Sequence, residues 1–134
     1  MGVPLSGSIY AFHEKMLNKD FTFVTEVDYM RSYKGLYDGR NSTIVVHYKG
    51  NTKKVYRAVV NIHCKEKDYA SLLYKEYVDI IKDRYTPYDI RENLNSVMTF
   101  YTRPTTIKMS ITYSDIDYIY PYKVQIDFTN NSRL

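Results

Sequence analysis

Whatever acid–base, nucleophilic or metal chemistry this chain offers must come from three histidines, His13, His47 and His63, and a single cysteine, Cys64. Imidazole titrates near neutral pH and binds metals, and a thiolate is a strong nucleophile. His63 and Cys64 are neighbours, but in a strand successive side chains point to opposite faces, so they cannot grip one metal together. No second cysteine, HExxH or CxxC accompanies them, and a structural or catalytic zinc needs such a set. Cys64 falls on the apolar face of a strand-like run and is expected as an inert core thiol, although a Cys–His pair formed across the fold stays open. His13 and Glu14 stand together on a helix, where polar residues ordinarily form a solvated face. Asp115 and Asp117 lie in "SDID", a sequence suited to a turn. Glycines 2, 7, 35, 39 and 50 never form a phosphate-cradling fingerprint. With no convergent set of titratable groups, the sequence predicts no enzyme, no cofactor and no metal.

Two other residue classes stand out. The chain holds 19 basic and 15 acidic residues, for a net charge of +4, and the stretch "HYKGNTKKVYR" concentrates Lys49, Lys53, Lys54 and Arg57 with no carboxylate. Such a hairpin suits phosphate contacts with base stacking on Tyr48 or Tyr56. Lysines at a hairpin turn also serve solubility and edge protection, and +4 is small for a dedicated nucleic-acid arm. Tyrosine is abundant at 16 residues, with no tryptophan. In "YIYPYKVQIDF", Tyr118, Tyr120, Tyr122, Val124, Ile126 and Phe128 alternate as on one face of a strand. The aliphatic end is expected beneath a helix. Because a buried hydroxyl requires a partner, Tyr118 and Tyr120 are expected at the rim, as an interface.

The elements that carry these residues follow from periodicity. Ile9, Phe12 and Met16 mark a short amphipathic helix over 8–18. A strand is expected at "FTFVTEV", with Phe21, Phe23 and Thr25 on one face, and residues 29–41 read as a loop or ragged hairpin. "STIVVHY" and "KKVYRAVVNIHC" make a hairpin whose Gly50-Asn51 is expected to supply positive φ angles; Tyr56, Ala58, Val60, Ile62 and Cys64 share one face of its second arm. Residues 67–85 carry the strongest helix pattern, with Tyr69, Leu73, Tyr77, Ile80 and Ile81 as its stripe, Asp68 as a cap, and Thr86-Pro87 as the stop. "YDIREN" is expected as a turn, followed by strands "SVMTFYT", "TTIKMSITY" and the tyrosine-rich segment.

The resulting order predicts an α+β fold: a single antiparallel β-sheet packed on one face by a long helix, with a short N-terminal helix. One domain over 1–134 is expected, with loose ends at 1–7 and 129–134. No run approaches the roughly 20 apolar residues of a membrane helix, and no signal peptide is apparent, so the expected place is the cytosol.

The order and spacing of "SIYAFHEKMLN", "YDGRNS" feeding "TIVVHYKG", "YRAVVNIHC" leading through "KEKD" into the long helix, and the final "KMSITY" and "YKVQIDF" pair resemble the tail terminator and tail-to-head joining proteins of long-tailed phages, the lambda-type tail terminator among them. The likeness spans about 8–128 and is one of pattern, since that family has no invariant catalytic or metal motif. It implies a non-enzymatic virion protein, made in the host cytoplasm and placed at the tail–head junction. Its partners would be copies of itself in a hexameric ring, the tail tube protein and the head completion or connector protein, with DNA crossing the lumen without specific binding. The chain departs from the pattern in its basic, tyrosine-rich segment 29–41 and in a longer stretch after the helix. On this reading the assembly contacts are Tyr29, Tyr33, Lys34, Tyr37 and Arg40 in a mobile loop, Lys49, Lys53 and Lys54 at the hairpin tip, and Tyr118 and Tyr120. The rival readings are a small nucleic-acid-binding module and a viral host-interaction domain.

Overall fold

The computed structural model describes residues 5 and 7–131. The elements run α1 (Ile9–Asn18), β1 (Thr22–Val27), β2 (Met30–Tyr37), β3 (Arg40–Tyr48), β4 (Val55–Cys64), α2 (Lys67–Tyr85), β5 (Asp89–Glu92), β6 (Met98–Tyr101), β7 (Thr105–Tyr113) and β8 (Tyr122–Asn130). All eight strands form one antiparallel sheet in the order β1-β2-β3-β4-β8-β7-β6-β5. Both helices lie on the same face, so the expected α+β architecture is present. None of the described helices is long and apolar enough to cross a membrane.

Register explains the core. Val46 pairs with Ala58, which pairs with Phe128, which pairs with Ile107; the next row holds Ile44, Val60, Ile126 and Met109. Each row points inward and is buried with α1 residues Ile9, Phe12 and Met16 and α2 residues Ala70, Leu73, Tyr77, Val78 and Ile81. Burying the five α2 side chains contributes on the order of 10 kcal/mol before chain entropy is subtracted, which fixes that helix to the sheet. The expected burial of Val124, Ile126 and Phe128 is present, with the Tyr85 ring 6.3 Å from that of Phe128. No described helix packs on the opposite face. Its rows, such as Thr43, Asn61, Gln125 and Ser110, are polar and half-exposed.

Several local expectations are corrected. Residues 29–41 are not a loop: β2 and β3 pair without a break from Met30–His47 to Tyr37–Arg40, with positive φ at Asp28, Tyr29, Asp38 and Gly39 making the tight connections. At the β3–β4 turn the positive φ falls on Lys53, at 61°, rather than on Gly50-Asn51. Gly50 is needed for a different reason, since a Cβ there would lie 2.8 Å from the Tyr29 ring. Tyr56 leaves the face it was expected to share with Ala58, because His47 pairs with Arg57 and Tyr48 with Val55, making Tyr56 the extra residue of a β-bulge. The same device disrupts β1: a register shift between Phe23 and Thr25 breaks the alternation, and every residue of this edge strand is exposed, with only Phe21, just before it, buried.

In α2, Tyr69 is 44% exposed while Ala70 and Val78 are buried in its place. Glu66 holds the N-cap position without a side-chain cap bond, Asp68 sits in the first turn, and Thr86, at φ 41°, ends the helix. "YDIREN" contains the short edge strand β5 rather than a turn. β8 starts at Tyr122, leaving Tyr118 and Tyr120 in a loop over 114–121. Of the expected loose ends, residues 1–4, 6 and 132–134 lie outside the described residues. Within them, Leu5 is buried, the Gly7 carbonyl accepts from the Val55 N–H at 3.0 Å, and Thr129 and Asn130 complete β8.

Candidate interaction surfaces

The antiparallel register sorts the polar residues to two ends of the sheet. At one end lie the β1–β2 and β3–β4 turns, the start of α1, and the chain entering β5 and β7. Here the backbone N–H of Ile9 donates to the Lys53 carbonyl at 2.8 Å, and Ser8 bridges Lys54, so α1 clamps the basic hairpin. The Lys49 ammonium lies 4.5 Å from the centre of the Tyr56 ring. Lys53 lies 5.6 Å from Tyr29 and 6.0 Å from Tyr48. The Arg31 guanidinium stands 5.9 Å from both Tyr10 and Tyr48. Across the same end, Arg91 approaches Tyr101 at 5.9 Å and Arg103 approaches Tyr88 at 5.1 Å. Cation–π contacts of this kind fix long side chains without consuming their N–H donors. Two of these cations carry a carboxylate partner as well, Arg31 with Glu26 at 3.0 Å and Arg91 with Asp89 at 2.8 Å, and nearby Arg57 forms a bidentate pair with Asp127 at 3.0 and 2.7 Å. Glu26 accepts from the Tyr48 hydroxyl and from Arg31, and these bonds hold its carboxyl below the usual value.

The other end carries the β2–β3 turn, the N-terminus of α2 and the 114–121 loop. Asp117 organises that loop by accepting from the backbone N–H groups of Ile119 at 3.3 Å and Tyr120 at 2.9 Å and from Lys123 Nζ at 3.3 Å. This is the turn role expected of "SDID". The loop folds over the uncovered face: Tyr120 Oη accepts from Asn41 Nδ2 at 3.2 Å, and its ring meets His63 edge-on at 5.9 Å. His63 shares a 2.8 Å hydrogen bond with Thr43 Oγ1. Burial, with help from Lys123, keeps the His63 imidazole below its ordinary pKa. A cleft of about 470 Å³ opens beside these groups, lined also by Lys34, Asp20 and Thr22. The loop crest is apolar, with Ile116, Ile119 and the 92% exposed Tyr118, and Tyr113 at the end of β7 is exposed as well.

The expected contact residues therefore divide. Tyr29 is exposed at the β1–β2 turn, Lys49 and Lys54 are exposed at the hairpin tip with Lys53 half-buried beside them, Lys34 lies on the uncovered face, and Tyr118 is free. Tyr33 and Tyr37 are core residues, which corrects their assignment to a contact loop. Tyr33 is fully buried, with its hydroxyl 2.8 Å from His13 Nδ1, and Tyr37 stacks against Tyr77 at 6.3 Å. Arg40 ties β3 to α2 through Glu76 at 3.5 Å and the Tyr69 hydroxyl at 3.3 Å, and Tyr120 is a latch. Tyr10, Tyr88, Tyr101, Arg91 and Arg103 were not anticipated, because the docking of α1 on the hairpin places the first and strand register the others at this end. His63 and Cys64 do face opposite sides. Cys64 is buried, and its thiol is pushed up by that burial. Among the described residues no group of three or more histidine, cysteine or acidic side chains is placed to hold a metal ion. The chain matches no protein-family model, no curated protein and no solved structure.

Proposed function

We propose that this chain is a structural protein whose work is to grip other proteins, and that it joins a phage tail to the head, capping the tail tube as a hexameric ring. The observation that carries the gripping role is the crest of the 114–121 loop. Ile116, Tyr118 and Ile119 are exposed together there, on a loop held by Asp117, Lys123 and Asn41. Large apolar side chains presented by a preorganised turn bind a partner with little further loss of freedom. Ring closure needs two different patches on each subunit, and this crest supplies one of them. The placement at a tail–head junction rests on the resemblance in element order and spacing, and it adds the tail tube and head connector as partners.

The experiment is removal of the gene from the phage that carries it. Full heads accompanied by separate or overlong tails are expected, with joining restored by the normal protein but not by Ile116→Asp/Tyr118→Asp. Normal virions without the protein would rule the junction role out.

A further inference from the structure

We propose that the basic end of the sheet is a binding surface for single-stranded nucleic acid, with the phosphodiester backbone held by lysine and arginine and unpaired bases stacked on tyrosine. Tertiary pairing, not local sequence, gathers aromatic and basic side chains at this end. Segments as far apart as Tyr10, Tyr29, Tyr88 and Arg103 meet at one margin, and each of these three tyrosines is more than half exposed with a cation beside its ring. A cation that rests against an aromatic ring is held in place, and the ring itself takes none of the N–H groups that a phosphate oxygen needs, although Glu26 takes the Nε–H of Arg31.

Charge and shape choose the ligand. Much of the positive charge is already answered: Arg57 by Asp127, Arg91 by Asp89, and Arg31 by Glu26. The remaining cations are too few for a contact that works by charge alone, as duplex backbone binding does, so the aromatic rings must supply a share of the affinity. Only unpaired bases offer their faces to such rings. The margin is also long. Eight strands spaced at about 4.8 Å extend over roughly 30 Å, so Tyr29 at the β1 side and Tyr88 at the β5 side serve different nucleotides of one strand. This surface is separate from the apolar loop crest and stands whether or not the chain assembles on a tail.

The test is fluorescence anisotropy with the full chain and labelled 20-base oligo(dT), oligo(rU) and a 20-base-pair duplex between 50 and 200 mM salt, with inorganic polyphosphate as competitor. Saturable binding of either single strand, at least about ten-fold tighter than the duplex, is expected. Tyr10→Ala/Tyr88→Ala should weaken single-strand binding by at least about five-fold per ring and leave the duplex unchanged. Lys49→Gln/Lys53→Gln should weaken every nucleic acid and lower the salt slope by roughly one to two. Thermal melting of each variant checks the fold, and both exposed tyrosines are chosen because their removal opens no core. Equal or tighter binding of the duplex, full displacement of the single strand by polyphosphate with no effect of the tyrosine variants, or no saturation at all would overturn the proposal.

Discussion

Tyr33 shows how a residue of one type can do the work of another. Its ring is buried against those of Phe12 and Phe23, and its hydroxyl is satisfied by His13 at 2.8 Å. Tyr33→Phe keeps the ring but leaves the imidazole short of a partner, so a loss of about 1 kcal/mol is expected in urea unfolding. An unchanged midpoint would mean that water replaces the hydroxyl at no cost. His47 and His63 give a second test. Burial lowers both, with Arg57 acting on His47 and Lys123 on His63, while Asp127 and Asp117 pull weakly the other way. Protons thus bind the unfolded chain more readily than the folded one. The stabilisation is complete above the ordinary value of 6.5 and is lost as pH falls through the lower folded values. Tm should drop between pH 7 and pH 5, and His47→Gln/His63→Gln should drop less over that interval. Parallel pH profiles for the two proteins would count against the histidines as its source.

At the scale of elements, α2 separates a stripe read by periodicity from the one the sheet accepts. Leu73 and Tyr77 belong to both, but Tyr69 is rotated outward and Ala70 inward. Leu73→Ala should therefore cost about 2–5 kcal/mol, whereas Tyr69→Ala should change stability by less than about 1 kcal/mol in the same denaturant titration. Comparable losses from both would place Tyr69 in the core. Gly35 tests β2 in the opposite sense. A Cβ there would lie 2.7 Å from Phe21 Cδ1, so Gly35→Ala should cost about 1–3 kcal/mol by overpacking, read from the same midpoint.

Where apolar residues alternate on a covered strand, as at 55–64 and 122–128, or follow a helix stripe, the sequence states the fold openly. β2 escaped notice because its inner face is Arg31, Tyr33, Gly35 and Tyr37, a set that reads as loop composition until Phe21 and α1 cover it. β5 is too short and polar to announce itself, and the bulges at Val24 and Tyr56 leave the strands recognisable but break the alternation that assigns neighbouring residues to a face. The candidate surfaces were legible only in part, for the same reason. The basic hairpin is contiguous in sequence, but its aromatic neighbours Tyr88, Tyr101 and Tyr10 arrive through strand pairing and the docking of α1. In a list of 16 tyrosines nothing separates Tyr33 in the core from Tyr88 at the surface.

For the molecule as a whole, the consequence is a sheet with two unlike ends and one bare face. Its edges are protected: β1 carries a bulge, and β5 is four residues long with three charges among them. Both devices discourage uncontrolled strand pairing, which directs association away from the edges and toward the ends. Of the two ends, the 114–121 crest is where apolar surface is concentrated, and its side chains are outside the core. Ile116→Ser/Ile119→Ser should therefore leave the unfolding midpoint within about 0.5 kcal/mol of the parent. The same variant should lower self-association in sedimentation equilibrium and reduce the fluorescence of a bound hydrophobic dye. Because burial of apolar area strengthens with excluded salts and charge contacts weaken with added ions, sulfate should promote association through the crest, while simple chloride should not disrupt it. Association that chloride abolishes and the double variant leaves intact would move the contact to the basic end, and would make the lysines, rather than the isoleucines, the residues that hold copies together.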